Sequence, residues 1–95
     1  MSQDTYREVL DADGKSLSTG IYIIEGFVSG TGHNVYHRWW IFINTVSGEY
    51  RAHQLEHLDN GYLSLILGFH ESTKLLISTN VSTQNYTVTL KVTKE

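Results

Sequence analysis

The chain has 95 residues, 40% of them hydrophobic, with a formal net charge of −3 and no cysteine. That length accommodates one core, so residues 1–95 are read as a single domain, and without cysteine there is no disulfide framework and no thiolate metal cluster. The seven lysines and arginines are scattered with no basic stripe, which argues against nucleic acid as a partner.

The opening MSQDTYREVL is polar and acidic, where a secretory leader needs a basic stretch and then an apolar run. No later segment has the uninterrupted apolar length of a bilayer span. A cytoplasmic chain with no membrane partner is expected. Its five histidines make the net charge sensitive to acid, and toward about pH 5 the charge passes through zero.

Residues 6–10 precede Asp11-Ala12-Asp13-Gly14, a turn sequence, and predict a short first strand. Val9-Leu10-Asp11-Ala12-Asp13-Gly14-Lys15-Ser16-Leu17, followed by Tyr22-Ile23-Ile24, resembles the opening hairpin of the Kunitz-type legume trypsin inhibitors, whose β-trefoil begins V-L-D-x-x-G-x-x-L…Y-x-I. The resemblance ends at Ile24, the family's cysteines are missing, and neither trefoil nor reactive site is carried over.

Residues 19–28 and 35–44 are rich in β-branched and aromatic side chains and flank Ser29-Gly30-Thr31-Gly32-His33-Asn34, so they predict a hairpin. In the second strand Trp40 and Phe42 fall on one side, and Trp39, Ile41 and Ile43 on the other. A strand apolar on both sides is either central to the core or half exposed as a binding surface.

Residues 49–58 allow two readings. As a helix, Ala52, Leu55 and Leu58 recur every third position before Asp59-Asn60-Gly61 ends it, giving an α+β domain. As a strand, Asn44-Thr45-Val46-Ser47-Gly48 is a hairpin turn and residues 50–57 return beside the tryptophan strand. The flanking turns fit a meander, and the strand is preferred. Leu63, Leu65, Leu67 and Phe69 then recur at every second position, residues 74–79 form a short strand, and Tyr86, Val88, Leu90 and Val92 alternate with Thr87, Thr89, Lys91 and Thr93.

The one catalytic motif is His53-Gln54-Leu55-Glu56-His57, an H-x-x-E-H that in helical form resembles the zinc site of a metallopeptidase group. In a helix the two histidines lie about 6 Å apart on one face and can share a zinc. In a strand they share a face but stand roughly 13 Å apart, too far for one ion. His53 and His57 are therefore metal candidates only in the less favoured conformation, with a third ligand to be drawn from His33, His37, His70 or Glu71. A site joining His37 to His53 or His57 across two paired strands depends on their register. No serine sits in G-x-S-x-G and no phosphate-loop pattern occurs, so no cofactor and no catalytic residue are assigned, and an enzyme is not expected.

Tyr36, His37, Arg38, Trp39 and Trp40 form the candidate binding set, because tyrosine, tryptophan and arginine dominate protein contacts. The competing reading is that at least one tryptophan packs in the core. The expectation is an all-β sandwich or partly open barrel of about six to eight antiparallel strands. Its function is read as non-catalytic protein binding, of the kind an intracellular inhibitor, an immunity protein or a phage accessory factor performs. Self-association into a homodimer follows from an exposed strand or tryptophan face. A small-ligand or carbohydrate-binding module is the alternative, with a zinc-dependent hydrolase behind it.

Overall fold

The computed structural model describes residues 7–29, 35–59, 63–70, 74–79 and 87–95. His33, the Asn60-Gly61 pair, Glu71 and Tyr86 lie outside these residues, as does the His70 side chain.

Seven strands are described: β1 (Arg7–Glu8), β2 (Gly20–Ser29), β3 (Val35–Asn44), β4 (Glu49–Leu58), β5 (Leu65–His70), β6 (Lys74–Thr79) and β7 (Thr87–Lys94). They make two antiparallel sheets, a three-stranded one in the order β1-β6-β5 and a four-stranded one in the order β4-β3-β2-β7. The sheets pack together as a small all-β sandwich, and no helix occurs among the described residues. Residues 49–58 are strand, so the α+β alternative does not hold.

Alternation explains the division of side chains. Tyr22, Ile24 and Val28 of β2 and Val35, Trp39, Ile41 and Ile43 of β3 point inward, where Leu65 of β5 and Leu75 and Ile77 of β6 meet them. Val88, Leu90 and Val92 of β7 pack against the rim of this core. At Gly26 the layers approach so closely that a Cβ would lie 2.8 Å from Leu65 Cδ1 and 3.1 Å from Leu90 Cδ2.

The β3–β4 reversal is built by its own residues. Asn44 Oδ1 accepts the backbone N–H groups of Val46 and Ser47, and Gly48 donates its N–H to the Asn44 carbonyl at 2.8 Å. Gly48 takes a φ of 78°, a left-handed conformation that glycine adopts without strain.

Candidate functional site

The side of the four-stranded sheet turned away from the core carries rows of apolar and aromatic side chains. Register places Leu58, Tyr36 and Phe27 in one cross-strand row, His53, Trp40 and Ile23 in another, and Arg51, Phe42 and Ile21 in a third. Phe27 is 43% exposed, Ile21 39% and Leu58 53%, and Tyr36, Trp40 and Phe42 are half-buried. His53 lies against Trp40 with ring centroids 5.8 Å apart.

Between the first two rows runs a row of charge. Glu56 pairs in register with Arg38, Arg38 with Glu25, and Glu25 with Lys91, so the sign alternates from one edge of the sheet to the other. The Tyr36 hydroxyl donates to Glu25 Oε2 at 2.7 Å, and that bond to a carboxylate holds the phenol above its ordinary pKa. Arg38 Nε is covered without a hydrogen-bond partner.

The inward side of the same strands ends in a different constellation. A bulge interrupts the β3–β4 ladder: Arg38 pairs with Glu56 and Trp39 with Gln54, so Leu55 is the extra residue on β4. An extra residue inverts the alternation beyond it. His53 consequently lies with Trp40 on the outer face, while His57 pairs with His37 on the inner one. Their rings are 4.8 Å apart, edge to face.

Asp59, just past β4, completes this cluster. Its Oδ2 lies 2.5 Å from His57 Nε2 and 3.3 Å from His37 Nε2, and it accepts the Ser64 hydroxyl at 3.0 Å. His37 is 1% exposed and stacks on Trp39, with Gln54 Nε2 2.8 Å from its Nδ1. Burial, and secondarily the neighbouring His57, hold the His37 pKa below the ordinary 6.5 of imidazole, against the opposing pull of Asp59.

The structure thus divides the five residues chosen from the sequence. Tyr36, Arg38 and Trp40 share the outer face, whereas His37 and Trp39 are buried on the inner one and offer it no contact area. The two histidines of H-x-x-E-H do not share a face, contrary to expectation, because simple alternation fails across the bulge at Leu55. The cross-strand pair of His37 with His57 does form. Sequence reasoning missed Asp59 as their companion; no local spacing signals it, since it reaches His37 only through the β3–β4 register. It missed Phe27 and Ile21 as well, although the alternation of β2 against β3 carried that information. The chain matches no protein-family model, and neither curated proteins nor solved structures provide a match.

Proposed function

We propose that the chain is a non-catalytic protein-binding module of the reducing cytoplasm whose contact surface is the outer face of β2, β3 and β4, centred on Tyr36, Arg38 and Trp40. The observation that carries this reading is the row Glu56, Arg38, Glu25, Lys91 crossing an exposed aromatic surface. Aromatic side chains supply contact area at low entropic cost, and the charges set register and exclude wrong partners.

The row also describes its partner, which must carry the opposite order of charge. A second copy of the chain does so. Rotation about a two-fold axis parallel to the strands sets Lys91 over Glu56 and Glu25 over Arg38, in both directions at once. An axis perpendicular to the strands would set Glu56 on Glu56, so the charges select between the two packings. Four strands about 4.8 Å apart and about 33 Å long present on the order of 600 Å² per copy, the low end for a specific interface. The association is therefore weak and reversible.

Sedimentation equilibrium over a concentration series tests the reading. The wild type is expected to shift from monomer to dimer with rising concentration, less so at high salt, and Phe27→Glu is expected to stay monomeric while keeping its melting temperature. A wild type that is monomeric up to about 1 mM, a concentration at which association weaker than about −4 kcal/mol goes undetected, and whose tryptophan emission responds to added oligosaccharides would overturn it in favour of a glycan-binding face.

A further inference from the structure

His37, His57 and Asp59 bring three donor atoms within 4.8 Å of one another on the inner side of the sheet, away from the outer face and independent of its role. Both Nε2 atoms converge on a single carboxylate oxygen, Asp59 Oδ2. The His37 ring is 1% exposed, and its Nε2 makes no hydrogen bond although it faces that oxygen at 3.3 Å. A covered imidazole nitrogen at ion-pair distance from an anion but without hydrogen-bond geometry toward it is an unusual arrangement, because buried polar atoms are almost always satisfied. A cation held there would give His37 Nε2 a partner beside an oxygen that already accepts from His57 and Ser64.

We infer that His37 Nε2, His57 Nε2 and Asp59 Oδ2 form a binding site for a divalent ion of the zinc type, with water in the fourth position on the exposed His57 side. Two imidazoles and one carboxylate suit zinc and its late first-row neighbours, and not magnesium or calcium, which prefer oxygen donors. In a tetrahedron with metal–ligand bonds of 2.0–2.1 Å, neighbouring donors stand about 3.3 Å apart. His37 and Asp59 already hold that separation. His57 must move for the set to close, opening its contact with Asp59 by about 0.8 Å and drawing nearer to His37, since the three donors lie only within 4.8 Å of one another, and at 57% exposure it has room to do so.

The surroundings support the ligands. Gln54 Nε2 lies 2.8 Å from His37 Nδ1 and, as placed, donates to it; metal binding at Nε2 requires the amide to reverse, so that Oε1 accepts an Nδ1–H and the Nε2 lone pair is left for the ion. The Ser64 hydroxyl holds Asp59 from the other side. Such partners fix tautomer and orientation in metal sites. The ion would clamp the end of β4, an edge strand exposed along its length, to the start of β3, where His37 is buried.

The test is titration of chelator-treated protein with Zn²⁺ by calorimetry, with Co²⁺ absorption as the reporter of coordination. One equivalent is expected to bind, with a melting temperature about 10 °C or more higher at a hundredfold excess over Kd, and with no response to Mg²⁺. His57→Ala, an exposed change that leaves the metal-free melting temperature nearly unaltered, should weaken binding about tenfold or more, and Asp59→Asn should do the same. His53→Ala, on the opposite face, should bind as the wild type does. Absence of stoichiometric binding by the wild type would overturn the site, and so would binding that survives His57→Ala but is lost in His53→Ala.

Discussion

Both faces of β3 carry large apolar side chains, yet their fates are opposite. The inner one, Val35, Trp39, Ile41 and Ile43, is sealed beneath the three-stranded sheet, while the outer one, Tyr36, Trp40 and Phe42, has no layer over it among the described residues. The presence of large apolar side chains therefore does not by itself mark which side of a central strand becomes core. What decides is where the chain places its second sheet. The face left over is then available for a partner, and the charge row that crosses it gives that partner an order to match.

Breaking the inner face should cost most. Trp39→Ala is expected to lower stability by about 3–5 kcal/mol, as loss of a buried large aromatic does, against about 1 kcal/mol for Trp40→Ala on the half-open side. Chemical denaturation of the two variants checks the contrast, and equal losses would mean that the faces are equally covered. Gly26→Val comes next. The new side chain would press into Leu65 and Leu90, and an overpacking penalty of about 1–3 kcal/mol is expected in the same assay.

The smallest effect concerns the inner edge and sharpens the comparison by pH. Burial lowers the folded-state pKa of His37 below 6.5, so the unfolded chain takes up a proton first. Stability from neutral His37 is fully present above about pH 6.5 and declines as the pH falls through the lowered folded value. In metal-free protein, the melting temperature of the wild type should therefore fall more steeply with acid than that of His37→Gln. Parallel curves would place the acid sensitivity elsewhere.

Most of the architecture was legible because alternation is a local property. β3 and β6 have the boundaries that their sequences suggest, and the Asn44 to Gly48 turn forms as its residues require. The helix reading of residues 49–58 failed because its apolar stripe, Ala52, Leu55 and Leu58, covers too little of a helix to be buried against anything. The bulge was not legible. No glycine or turn residue marks Leu55, and its existence depends on how β4 meets β3. From that one residue follows the misreading of His53 and His57, since a single insertion moves His57 to the inside while His53 remains outside. Asp59 was hidden for a related reason: its contact with His37 is a product of pairing, and pairing is not written in either strand alone.

The most direct test of the open outer face uses Trp39→Phe, in which all indole emission comes from Trp40. Followed from dilute to concentrated solution with acrylamide as quencher, this emission should shift to shorter wavelength and lose its accessibility as copies associate over the face. A spectrum and a quenching constant that stay the same at every concentration would contradict the account.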